Sequence, residues 1–179
     1  AGTWGAIKCV KDNIESTASI DGSLDRVTIV TPGDYVPPPG GLAIRRELDF
    51  VEQERRLHLY KRDAMLAYLR ANRLNRIVTH GGREPRIGIA TVGKSYLDVR
   101  QALEDLGIDE VRANDLGIRL FKLACPWPID PAELKAFADG LDLIMVVEEK
   151  RSLIEVQVRE ELYGAAHQPM VIGKKDEKG

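Results

Sequence analysis

From residue 85 onward the chain alternates short apolar runs with amphipathic stretches, and this alternation restricts the fold more than any other feature of its 179 residues. The runs at 86–92, 118–124, 143–147 and 170–172 are rich in Ile, Val and Leu and are bounded by turn formers or charges, which predicts strands. Between them the pattern is helical. Residues 95–106 set Tyr96, Val99, Leu103 and Leu106 on one stripe that ends at Gly107. Asp130 stands as a cap before Pro131 in a helix whose buried face is Leu134, Phe137, Ala138 and Leu141, and 152–163 buries Ile154, Val158 and Leu162. Apolar strands joined by such helices predict an α/β fold: a three-layer parallel sheet with helices on both faces, in the order β-α-β-α-β-α-β.

The first part of the chain has a different texture. Trp4, Ile7, Val10 and Ile14 recur at helical spacing, predicting a helix over 3–18 that Asp21, Gly22 and Ser23 stop before a short strand at 26–30. Pro32, Gly33 and the run Pro37, Pro38, Pro39, Gly40 and Gly41 can continue neither helix nor sheet and form a surface connection. A long connecting helix over 49–73 carries Phe50, Leu57, Ala64 and Tyr68 on one side and charges on the other. The expected division is an upstream segment, 1–84, followed by an α/β domain, 85–179. An amphipathic helix without a preceding cap, in a chain that opens on Ala1 rather than methionine, gives the expectation of a piece cut from something longer. The charged end, 174–179, frays or continues into a further domain.

Bulk properties remove several function classes. With 26 basic and 28 acidic side chains the formal net charge is -2, so no broad positive field attracts a nucleic acid. Pairs such as Arg45 with Arg46 and Arg55 with Arg56 read as solvated helix faces. Cys9 and Cys125 cannot supply the four thiolates of an iron-sulfur cluster, whether they form a disulfide or stay as two buried thiols. Such sparse cysteine usage fits a reducing cytoplasm. No stretch approaches the roughly twenty apolar residues of a membrane span, and no secretory signal opens the chain. His58, His80 and His167 lack metal-ligand spacing, and no G-x-S-x-G elbow is present.

One motif asks for a decision. The string GIATVGKS, 88–95, satisfies the spacing of a phosphate-binding loop. In a loop of that kind the strand ends before the first glycine and the next four residues wrap the phosphates with backbone amides. Here Ile89, Ala90, Thr91 and Val92 suit a buried strand, and the turn signal lies earlier, in His80, Gly81, Gly82, Arg83, Glu84 and Pro85. The motif is out of register with its own strand.

In an open parallel sheet, ligands and partner domains meet the carboxyl ends of the strands. Gly93, Lys94 and Ser95 stand there, either as helix amides and an ammonium that hold a carboxylate or phosphate, or as a tight turn, a solvated lysine and a serine cap. Cys125, Pro126, Trp127 and Pro128 form a stiff aromatic corner that stacks on a planar ligand or neighbouring domain, or packs under the sheet. Glu148 and Glu149 pair as acid and base if burial raises the pKa of one, or bridge as solvated charges to Lys150 and Arg151. No residue is assigned a catalytic or metal-binding role.

The run GIATVGKSYLDVRQALEDLGID, then LGIRLFKLACPWPIDP, then LIMVVEEKRSLIEVQVREELY, resembles the 2-oxoacid:ferredoxin oxidoreductases, specifically the fused bacterial indolepyruvate ferredoxin oxidoreductases. WGAIKCVKDNIESTASID is similar to the segment just upstream in the same proteins, and Val146, Val147, Glu148 and Glu149 are similar to the strand end of transketolase carboxyl-terminal domains. The resemblance implies a transketolase carboxyl-terminal-like domain within an intact cytoplasmic enzyme, a dimer that converts aryl pyruvates and coenzyme A to aryl-acetyl-coenzyme A and carbon dioxide. It implies thiamine diphosphate, Mg and 4Fe-4S clusters elsewhere in that enzyme, with electrons passed to ferredoxin. This chain lacks the diphosphate and cluster motifs, so the resemblance makes it a structural module packed on other domains of the same polypeptide, inactive alone. The other expectation is an independent phosphate- or nucleotide-binding module that uses the GIATVGKS loop.

Overall fold

The computed structural model describes Gly5, residues 14–176 and Lys178. Two compact units divide the chain, Ala1–Asn72 and Arg73–Gly179.

In the first unit, most of the helix expected over 3–18 lies outside the described residues, and residues 15–49 are not helical. The strand expected at 26–30 does not form. Its alternating apolar residues find no partner strand, and the Asn72 side chain takes that role at Val30, accepting from its N–H at 2.8 Å and donating to its carbonyl at 2.9 Å. The long helix is present as α1 (Phe50–Arg56) and α2 (Arg62–Ala71), joined by a π-helical turn at Leu57–Lys61. Asp49 caps it, accepting from the Glu52 N–H at 2.8 Å. The π turn rotates the two halves relative to one spacing. Phe50, expected on the apolar side, is exposed, while Ala64, Leu66, Ala67 and Leu69 are buried.

The second unit is the sheet: β1 (Arg76–His80), β2 (Ile87–Val92), β3 (Ile118–Leu123), β4 (Leu143–Val147) and β5 (Met170–Ile172), in spatial order β1-β3-β2-β4-β5. Four strands are parallel. The expectation of an all-parallel sheet needs one correction, because β1, assigned to no element from the sequence, pairs antiparallel with β3 as an edge strand. Its register slips between Ile77 and Thr79, and the Thr79 hydroxyl repairs the ladder by accepting from the Leu120 N–H and donating to the Ile118 carbonyl.

Helices α3 (Lys94–Asp105), α4 (Glu110–Asp115), α5 (Pro131–Ala138) and α6 (Ile154–Leu162) connect the parallel strands. Helix α3 stops in the manner its Gly107 predicts, with Gly107 N–H donating to the Glu104 carbonyl and Ile108 N–H to the Leu103 carbonyl. Helix α4 has no apolar stripe to betray it, only the Asp109 cap. Asp130 caps α5 as expected, accepting from the Ala132 and Glu133 N–H groups.

Strand β2 goes on to β3 on one side and β4 goes on to β5 on the other, so right-handed crossovers lay α3 and α4 on one face and α5 and α6 on the opposite face. The principal core lies under α5 and α6, where Phe121, Leu134, Phe137, Leu141, Ile144, Ile154 and Val158 pack with Ala90, Val146 and Val171. Phe121 and Phe137 stack with ring centroids 4.8 Å apart.

Candidate functional site

The order β3-β2-β4-β5 makes the gap between β2 and β4 the switch point, since the chain leaves these neighbours in opposite directions and their following loops part. The loop after β2 brings Gly93, Lys94 and Ser95, and the loop after β4 brings Glu148, Glu149, Lys150 and Arg151. Thus the structure gathers the expected residues at one crevice. The hydrogen bond to Asp98 raises the Lys94 pKa above the usual lysine value, and the Asp98 and Glu149 charges add to that rise.

Each of these residues is then set by local geometry. Gly93, not Ser95, is the cap of α3, which corrects the expectation that Ser95 caps it. Its φ of 61° and ψ of -134° suit glycine, and a Cβ there would meet nothing within 4 Å, so the backbone of this turn is open to a ligand. Ser95 is buried inside the first turn. The Lys94 ammonium donates to Asp98 at 2.6 Å across one helical turn, so it is a paired surface cation.

Glu148 is not a solvated charge. Its Oε2 accepts from the Leu153 and Ile154 N–H groups, each at 2.9 Å, and its Oε1 from the Glu155 N–H at 3.0 Å. A buried carboxylate thereby closes the amino end of α6, satisfying donors that no side chain within the helix reaches. Glu149 is exposed, and Lys150 turns the chain with φ of 59°. Glu148 is thus a capping carboxylate beside the exposed Glu149, and not the solvated bridge to Lys150 and Arg151 that the sequence also allows.

At the next loop, Cys125 and Pro128 are buried and Trp127 is half-buried. The Cys125 thiol donates to the Trp127 carbonyl at 3.0 Å, and burial raises its pKa, which keeps it protonated. Gln157 staples this corner to α6, donating to the Pro126 carbonyl at 2.8 Å and accepting from the Ile129 N–H at 3.0 Å. The corner packs on its own domain.

Sequence reasoning missed Gln157 and Glu155, both polar residues in a helix whose apolar stripe gave no sign of them. Glu155 is almost fully buried and accepts from Arg159, from the Ser152 hydroxyl and from the Lys174 N–H. Burial alone would raise its pKa; the hydrogen bonds outweigh that and hold the carboxyl below its usual value.

The octet 88–95 lies as its neighbours demand. Gly88 pairs with Arg119 on one side and Ile144 on the other, in the middle of the sheet, so its peptide groups belong to the ladder. The glycine is required by packing: a Cβ would come within 2.5 Å of Leu141 Cδ1 and 2.7 Å of Phe137 Cζ.

These donors do not fit the groups that the resemblance brings with it. Among the described residues no set of three His, Cys, Asp or Glu side chains is placed to hold a metal ion. Of the carboxylates near the glycine turn, Glu148 serves helix amides and Asp98 serves Lys94, and two cysteines fall short of a cluster's four thiolates. His167 Nε2 lies 2.7 Å from the Leu141 carbonyl, a structural bond. What the crevice offers chemically is the first turn of α3, the paired Lys94 and the exposed Glu149, Lys150 and Arg151.

Residues 77–179 match the family model of the indolepyruvate oxidoreductase domain. The chain is 32% identical over 94 residues to indolepyruvate oxidoreductase subunit IorA of Thermococcus kodakarensis, covering 52% of this chain and 13% of that protein. It is 35% identical over 79 residues to the same subunit of Pyrococcus horikoshii, covering 44% of this chain and 11% of that one. The chain thus spans about an eighth of the length of these relatives. Among solved structures it is similar to a 2-oxoglutarate:ferredoxin oxidoreductase from Magnetococcus marinus, with TM-score 0.48 and 19% identity over 96% of this chain and 28% of that chain. No helix among the described residues is long and apolar enough to cross a membrane. With more than half of its length matched by the family model, this chain belongs to the indolepyruvate oxidoreductase domain family.

Proposed function

We propose that the chain is a structural domain of an indolepyruvate ferredoxin oxidoreductase, one that packs on the domains which bind the cofactor and does not catalyse alone. The observation that carries this reading is the coincidence of the family match with the sheet unit, combined with a crevice whose buried carboxylate is already engaged by its own helix. The intact enzyme would oxidise aryl pyruvates to aryl-acetyl-coenzyme A, with thiamine diphosphate supplying the carbanion chemistry and iron-sulfur clusters leading to ferredoxin. A dimeric, cytoplasmic enzyme agrees with this reading.

Mixing this chain with thiamine diphosphate, Mg, indolepyruvate and a redox dye is expected to give no turnover. Measurable decarboxylation would overturn the assignment.

A second reading keeps the crevice as an anion site, favoured by one observation: no side chain caps the amino end of α3, and Gly93 leaves its backbone open. Calorimetry with ATP, GTP and coenzyme A tests it. Heat that disappears in Lys94→Ala supports the site, and no heat removes it.

A further inference from the structure

The proline segment that reads as a surface connection is laid along the long helix of its own unit. Burial along it repeats every third residue: Pro32, Tyr35, Pro38 and Gly41 are half-buried, and the residues between them are exposed. Three residues per turn is the period of a polyproline II helix, which presents one edge to whatever it lies on. Hydrogen bonds tie the segment to the helix in antiparallel order. Asn72 holds both backbone polar groups of Val30, and the Tyr35 hydroxyl donates to the Tyr60 carbonyl at 2.9 Å. Arg56, itself buried, donates to the Gly41 carbonyl at 2.6 Å, and Gln53 donates to the Arg45 carbonyl at 2.8 Å. Tyr35 and Gly41 thus grip the helix at the two ends of its π turn, since Arg56 precedes that turn and Tyr60 stands near its exit.

The turn is also what lets one extended segment reach both ends of the helix. Gln53 and Asn72 are nineteen residues apart, which at about 100° per residue leaves them roughly 100° apart round an unbroken α-helix. A π turn spends one extra residue on its circuit, the Arg62 N–H donating to the Leu57 carbonyl five residues back, and so takes out about 100°. Gln53 and Asn72 then face the same side. Nothing within Leu57–Lys61, which holds neither proline nor glycine, breaks an α-helix. The cause of the π turn lies outside the helix.

We propose that residues 30–45 form a strap that selects the phase of this helix. Docked, the strap holds the π turn; released, it lets 50–71 close into one α-helix, with α2 turned about 100° against α1. The prolines suit this role. Pro37, Pro38 and Pro39 each fix φ at about -65°, so the reach from Tyr35 to Gly41 is set before docking and little chain entropy is lost on binding. The strap is held by side chains and single carbonyls, with no strand ladder, so it can open locally while the sheet unit stays folded.

The test reads which carbonyl Arg62 serves, by nuclear magnetic scalar coupling across the hydrogen bond in the deuterated chain: Leu57 in the π turn, His58 in an unbroken α-helix. Tyr35→Phe removes one bond and is expected to raise the released fraction roughly five-fold. Combined with Pro37→Gly, Pro38→Gly and Pro39→Gly, it is expected to move the coupling to His58 and to speed hydrogen exchange at the Val30 amide, while Ile144 in the sheet exchanges as before. Coupling that stays at Leu57 in the combined variant overturns the proposal. So does the absence of both couplings, because the released helix would then be unravelled and not re-phased. Deleting Leu59, whose side chain is half-exposed, gives an independent readout. The deletion removes the residue that the π turn accommodates and keeps the phase of the two halves, so Arg62 is expected to bond His58 with the strap still docked. Val30 then exchanges as slowly as in the parent chain. Fast exchange at Val30 in the deletion overturns the proposal.

Discussion

Gly88 separates a nucleotide loop from a strand, and a single methyl group decides between them. Gly88→Ala forces a Cβ against Leu141 and Phe137, and overpacking at such a site costs about 1–3 kcal/mol. Urea denaturation should show the lowered midpoint. Glu155 sets a pH dependence. Its folded pKa lies below the unfolded value of about 4.3, so its stabilisation is present above that pH and is lost as pH falls through the folded value. Glu155→Gln is expected to lower stability at neutral pH and flatten this acid limb, as read by melts across the range. The strand register around Gly88 was legible in the sequence because β-branched neighbours flank it. The roles of Glu148 and Glu155 were not, because they cross a turn or reach another element and leave no periodic trace.

At the scale of elements, the buried strands and the capped helix α5 were readable from their apolar runs and from Asp130 before Pro131. Asp130→Ala should cost about 1 kcal/mol through two orphaned amides, checked by chemical denaturation. Strand β1 escaped notice because Arg76, Thr79 and His80 give it an edge strand's polar character. The reverse error, a strand at 26–30, arose because alternation predicts a strand without naming its partner. Asn72 supplies that partner by side chain alone, so Asn72→Ala is expected to expose the Val30 region to proteolysis without unfolding the sheet unit.

For the whole molecule, β1 determines where a viable domain begins. A chain starting at Arg73 retains the strand that covers the outer edge of β3, whereas one starting at residue 85 bares it. The first is expected to unfold cooperatively as a monomer and the second to self-associate, which sedimentation distinguishes. At the far margin of the sheet, Arg159 donates to the Val171 carbonyl while its guanidinium also holds Glu155. Alternation along β5 points that carbonyl outward, since the Met170 N–H is spent on Asp142. The arginine therefore works as a sentry against fibril growth: with it gone, a stray peptide would find an acceptor waiting and could begin to lengthen the ribbon.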